Sequence, residues 1–177
     1  MKSTGIVRRI DDLGRVVIPK EIRRNLRIRE GDPLEVYIED DKVIYKKYSP
    51  IGDMANIAYT YAEALGAISG HSVLITDRDY VVAVSGVSRR DYLERTISSE
   101  LEDVIEKRYP YQYNQESLVH PVAEFPRAAS VVYPILSQGE LYGSVVLLAD
   151  DRYTTPSDVE LKLARYTASL IGSQLHE

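Results

Sequence analysis

Residues 11–26 read DDLGRVVIPKEIRRNL, and the order of residue types in this stretch decides the fold of the first part of the chain. Asp11-Asp12-Leu13-Gly14 offers the chemistry of a tight turn, with a glycine free to take positive φ. Arg15 to Ile18 is short and β-branched, which predicts a strand. Pro19 suits the first helical position, where its missing N–H is not needed, so a helix is expected from Lys20 to Leu26. On that helix Ile22 and Leu26 lie four apart on one side. At about 100° per residue, Lys20, Arg23, Arg24 and Arg27 gather on the other. The helix thus buries two aliphatic side chains and shows water a fan of cations.

Working outward, residues 5–10 (GIVRRI) read as a strand that carries Arg8 and Arg9. Glu30-Gly31-Asp32 reads as a second turn. Leu34 to Glu39 and Val43 to Lys47 alternate as a hairpin with Asp40-Asp41 as its loop. Four short strands and one helix within residues 1–47 bury too little surface to be secure alone, and with no cysteine in the chain no disulfide can help. The expectation is a piece that folds only as a dimer.

Charge is divided unevenly along the chain. Its net charge is -5 at pH 7, yet residues 1–29 hold 9 Lys+Arg against 3 Asp+Glu, while residues 48–177 hold 10 against 18. A basic head on an acidic body fits a nucleic-acid partner confined to the head. The alternative is a basic face that is merely solvated. Arginine suits phosphates and guanine edges because its planar fork donates two hydrogen bonds at once. Cations from several separate elements favour DNA over the solvated face.

Other classes are set aside by composition. No run of 18 apolar residues exists, so no membrane-spanning helix is expected. The opening MKSTGIVRRIDD lacks an apolar signal core, and the absence of cysteine fits a reducing compartment, so the expected location is the cytoplasm, in association with the nucleoid. His71, His120 and His176 are isolated, with no metal-ligand spacing. The pairs Asp77/Asp79 and Asp150/Asp151 are explained by turns. The stretch VSGVS (84–88) has no phosphate-loop lysine, and no GxSxG elbow occurs. No enzyme, no catalytic residue and no metal site is expected.

Beyond residue 48 the pattern becomes mixed. Ser49-Pro50-Ile51-Gly52 reads as a hinge. Met54, Ala58, Tyr61, Leu65 and Ile68 predict a helix that ends before Gly70. Strands are expected at 72–76 and 80–84. A helix follows from a capping box of Ser99 and Glu102 to about Arg108. After a Tyr/Pro loop at 109–115 come a short strand near Leu118-Val119 and a hairpin of Ser130 to Leu136 with Leu141 to Ala149. The last helix starts at Thr155-Pro156-Ser157-Asp158 and carries two apolar stripes. Leu161, Ala164, Ala168, Ile171 and Leu175 form one. Val159, Leu163, Tyr166 and Leu170 form the other, which predicts a partner, the alternative being that both stripes are buried within one subunit. This order predicts an α+β sensor module.

The motifs TGIVRRID, LGRVVIP, the short basic helix and EGDPLEVY, spread over residues 2–48, resemble the AbrB-type swapped-hairpin DNA-binding domain. The second half is similar to GAF domains, and the combination resembles regulators of transcription during spore formation. The resemblance implies an α+β fold class with two domains. Residues 1–50 would be a swapped-hairpin β domain in an intertwined dimer, and residues 51–177 a GAF-like α/β domain for sensing and oligomerisation. It implies double-stranded DNA as partner, contacted by Arg8, Arg15, Arg23 and Arg24, with Lys2 and Arg9 on phosphates beside them. With the second stripe of the last helix it implies a homotetramer through the C-terminal helices, a dimer being the alternative, and no named cofactor. A small ligand under residues 109–128, with Tyr109, Tyr111, Tyr113 and Phe125 as its roof, stands against the reading that these aromatics only pack the loop. Two other functions stay open: an antitoxin-like DNA binder, and a sensor that uses the head only to oligomerise. Antitoxins of this kind usually end in a disordered tail, whereas the second half here is rich in apolar periodicity.

Overall fold

A computed structural model describes residues 4–175 and divides into two compact units, Met1–Tyr48 and Ser49–Glu177. In the first unit, helix α1 (Lys20–Asn25) follows Pro19 at its N-cap and ends at Leu26. Arg27 then turns left-handed with φ 52, so it stands off the helix and leaves Lys20, Arg23 and Arg24 as the helical fan. Strands β1 (Leu34–Glu39) and β2 (Lys42–Lys47) form an antiparallel hairpin, as expected. The register pairs Val36 with Tyr45 and Ile38 with Val43 on one face, and Glu35 with Lys46 and Glu39 with Lys42 on the other. Opposite charges across a pair fix that register.

The two strands expected at 5–10 and 15–18 are not strands in the single chain. A strand needs a neighbour's donors and acceptors, and among the described residues of this unit the one sheet is the β1-β2 hairpin, which does not include these segments. The loop between these segments does form, with Asp11 N–H on Arg15 O at 3.0 Å and Gly14 N–H on Asp11 O at 3.1 Å. Gly14 sits at φ 77, the left-handed region that favours glycine.

The second unit is a three-layer structure around one antiparallel sheet of order β4-β3-β7-β6-β5. Its elements are α2 (Pro50–Asp53), α3 (Ala55–Ser69), β3 (Val73–Asp77), β4 (Val81–Ser85), α4 (Arg89–Tyr92), α5 (Ser99–Glu106), β5 (Tyr111–Gln112), β6 (Ala129–Ser137), β7 (Glu140–Leu148) and α6 (Asp158–Gln174). Period-two alternation sends Val73, Ile75, Val145 and Leu147 toward α3 and α6, where they meet Ala58, Ala62, Leu65, Ala168 and Ile171. Leu74, Val146 and Leu148 face the other way, against Tyr92, Ile97, Leu101, Ile105 and Val122. Because both faces are covered, the strands read as continuous apolar runs such as VVLL. Gly143 fits a close approach: a Cβ there would lie 1.9 Å from Thr76 O.

Three local expectations shift. The expected hinge is structured: Ser49 caps α2, accepting Gly52 N–H at 3.0 Å, and Ile51 is fully buried in the unit's core. Ser-Pro is as good a helix start as a loop, and the apolar Ile51 decides between them. The cap of α5 is Ser98, whose hydroxyl accepts Leu101 N–H at 3.0 Å, rather than Ser99. No strand forms at Leu118-Val119; Val119 offers only its carbonyl to Ala129, and the edge strand is β5 instead. The two-residue turn Gln138-Gly139 has φ 49 and 83, the hairpin geometry its sequence favours.

Candidate nucleic-acid interface

The cations of the head lie on three consecutive pieces of chain. Arg8 and Arg9 precede the glycine loop, Arg15 follows it, and Lys20, Arg23 and Arg24 ride on α1; all six are exposed. Lys2 lies outside the described residues. Arg27 and Arg29, by contrast, are half-buried. The hairpin base is pinned by Lys47, whose ammonium reaches Arg27 O at 2.7 Å and Asp32 at 3.2 Å, while Asp32 also accepts Arg29 N–H at 2.8 Å.

Four expected contacts differ in how they are held. Arg8 turns one terminal nitrogen back on Val7 O at 3.1 Å. Arg15 is gripped by Asp11, whose Oδ2 accepts the guanidinium Nε–H at 2.8 Å. The other oxygen of Asp11 accepts the backbone N–H of Arg15 at 2.8 Å and of Leu13 at 3.0 Å. The Arg15 backbone N–H, then its side chain, hold the Asp11 carboxyl below its ordinary pKa. Arg23 and Arg24 project from adjacent positions of the last turn of α1. Sequence reasoning found the arginines by residue type, but read Asp11 as turn chemistry alone.

The frame beneath these cations is bare of cover. Among the described residues of the head none is fully buried. Val7, Ile10, Leu13 and Val17 are between 70% and 84% exposed, and Ile38 and Val43 on the apolar hairpin face are 82% and 62% exposed. A unit that leaves this much apolar surface in water has the character of half an interface.

In the second unit the aromatic loop packs down. Phe125 stacks on Tyr92 with ring centroids 4.4 Å apart, Tyr111 donates to Ser117 O at 2.7 Å, and Tyr113 meets Tyr153 at 6.0 Å. Tyr109 is exposed beside an open recess lined by Val104, Lys107, Pro110 and Tyr111. His71 lies 3.8 Å from Glu160 and His120 lies 3.1 Å from Glu100; among the described residues no group of three or more His, Asp or Glu is placed to hold a metal. No helix among them is long and apolar enough to cross a membrane.

An exposed set of arginines on a small β-rich head, followed by a sheet covered on both faces, defines a class: a two-unit protein with a basic head and an α+β body. The chain belongs to the stage V sporulation protein T family: the family model for the C-terminal region, described as a transcription factor, matches residues 53–176. The stage V sporulation protein T of Bacillus subtilis is 47% identical over 180 residues, covering 100% of both chains. A model described as the antidote-toxin recognition MazE bacterial antitoxin matches residues 7–52. The transition state regulatory protein AbrB of Bacillus subtilis is 66% identical over 50 residues, covering 28% of this chain and 52% of that one. The solved structure of its N-terminal DNA recognition domain is matched over 28% of this chain and 94% of that chain, with a TM-score of 0.25. The GAF domain of a phosphoenolpyruvate-protein phosphotransferase from Coxiella burnetii shares the fold at a TM-score of 0.54, with 13% identity over 89% of each chain.

Proposed function

We propose that this chain controls sporulation-stage transcription by binding double-stranded DNA through paired heads. The observation that carries the reading is the set of exposed arginines, Arg8, Arg15, Arg23 and Arg24, on a unit whose apolar faces lie bare. Arg9 and Lys2 stand beside them as phosphate contacts. Residues 1–50 act as the DNA-binding domain, and pairing of two heads supplies the missing neighbours of residues 5–10 and 15–18. Support comes from the 66% identity with AbrB, whose N-terminal domain is described as one for DNA recognition. Residues 51–177 act as the regulatory and oligomerising domain, joining head dimers into a homotetramer.

A small ligand of the second unit would sit under residues 109–128, where Phe125 now stacks on Tyr92. The reading calls for no catalysis, and for a location on the nucleoid. The match to an antitoxin model favours a second reading for the head alone. That reading asks for a tail that folds on a toxin, whereas residues 49–175 form a folded unit with its own core. The test is titration of labelled duplex DNA with the full chain and with Arg23→Ala/Arg24→Ala. The double variant should bind more weakly while its circular dichroism stays that of the parent. Equal affinity in a folded variant would overturn the reading.

A further inference from the structure

One carboxylate organises both the loop and the cation that follows it. Asp11 takes two backbone N–H groups on Oδ1, from Leu13 and Arg15, and the Nε–H of the same Arg15 on Oδ2. The Arg15 side chain is 70% exposed, and among the described residues its terminal nitrogens take no hydrogen bond. An ion pair so open to water adds little to stability, so its place in the structure calls for another role. A guanidinium held at Nε has its plane fixed and keeps its end-on fork of donors. That fork matches the O6 and N7 acceptors of guanine in the major groove. Of the four expected contacts, only Arg15 is held by a carboxylate among the described residues. Arg23 and Arg24 carry no such restraint, and a flexible cation suits phosphates, which position without reading sequence.

We infer that Asp11 is a positioning residue that presents the fork of Arg15 to a base edge, making Arg15 the sequence-reading cation of the head. The inference rests on the reading of Arg15 as a DNA contact. Two effects follow from the geometry. The prefixed side chain loses less freedom on docking, which favours the matching base. The carboxylate also offsets the charge of Arg15 and stands close to any DNA that Arg15 meets, which weakens attraction to duplexes of the wrong sequence. Asp11 therefore contributes to discrimination and opposes indiscriminate affinity. Its carboxyl is held below the ordinary range, first by the Arg15 backbone N–H and then by the Arg15 side chain.

The test uses the full chain and two sets of short duplexes: those it enriches from a random-sequence pool, and scrambled versions of them. The readout is the ratio of the two affinities. Asp11→Asn keeps an oxygen for the backbone donors and loses the charge. Asp11→Ser, with a shorter hydroxyl, is the second variant, and thermal melts confirm that each is folded. Both should lower the ratio about tenfold, the order expected for a misaligned bidentate contact, with binding to scrambled duplexes unchanged or tighter. Weakening of all duplexes alike would show that Asp11 only supports the loop and would overturn the inference. So would an unchanged ratio in the Asp11 variants when Arg15→Ala lowers it; the reading of Arg15 as a contact would then stand. If Arg15→Ala changes neither ratio nor affinity, the contact reading fails and this inference fails with it.

Discussion

Arg23 and Arg24 are neighbours on a helix of six residues, exposed and with no salt bridge to a carboxylate among the described residues. Side chains so placed act by charge. Arg24→Ala should weaken binding to every duplex by a similar factor and reduce the salt dependence of log K by about 1 for each phosphate it no longer neutralises. A second residue-scale prediction concerns α6. Ser157 caps it, accepting Val159 N–H at 3.2 Å, and Glu160 reaches back to the Ser157 N–H at 3.0 Å. Ser157→Ala should cost about 1 kcal/mol in a denaturant melt. The Ser157 hydroxyl is the main cause that holds the Glu160 carboxyl below its ordinary pKa. A carboxyl lowered by folding stabilises above its unfolded pKa and loses that contribution as pH falls through the folded one. The melting temperature of the parent should therefore fall more between neutral pH and the acid end than that of Glu160→Gln; equal pH profiles would contradict this. At this scale the sequence was legible where residue type suffices, as with the arginines. Asp11 escaped because an aspartate before a glycine is fully explained by the turn, and its bond to the Arg15 side chain needs the folded loop.

In the second unit β3, β4, β6, β7, α3, α5 and α6 followed from pattern, because its sheet is covered on both sides and long apolar runs mark strands whatever their neighbours; the short α2, α4 and β5 did not. Their ends slipped by one residue, as at β3, β4 and the cap of α5, where two adjacent serines compete for one role. Ser49-Pro50-Ile51-Gly52 misled because its composition serves a hinge and a helix start equally. In the head, the β-branched segments 5–10 and 15–18 have the sequence of strands, yet among the described residues they join no sheet. Sequence pattern specifies which face a strand buries, not which chain buries it. This yields an element-scale prediction. Hydrogen exchange on the full chain should find the amides of 6–10 and 15–18 protected at high protein concentration and increasingly open on dilution, as the proposed pairing of heads requires. Fast exchange of these amides at every concentration would count against paired heads.

At the scale of the whole molecule, the sequence pattern of α6 separates into a buried stripe and an open one. Ala164, Ala168 and Ile171 are buried against the sheet, whereas Val159 and Tyr166 are 62% and 65% exposed and Leu163 and Leu170 are half-buried. Helix α3 likewise leaves Ile57 and Ile68 exposed at 41% and 71%. An interface between second units and another between heads, each joining a different pair of subunits, closes as a tetramer. Leu163→Glu with Leu170→Glu should halve the mass seen by light scattering while leaving the heads paired. An unchanged mass in a folded protein would exclude this helix face. The central claim, an acidic chain that grips DNA through its one basic corner, is tested most directly by the salt dependence of binding. Titration of labelled duplex DNA with the full chain should show affinity falling about 10³–10⁵-fold between 50 and 200 mM salt, as expected for roughly 6–10 phosphate contacts shared by paired heads. An affinity that stays flat across that range would contradict it.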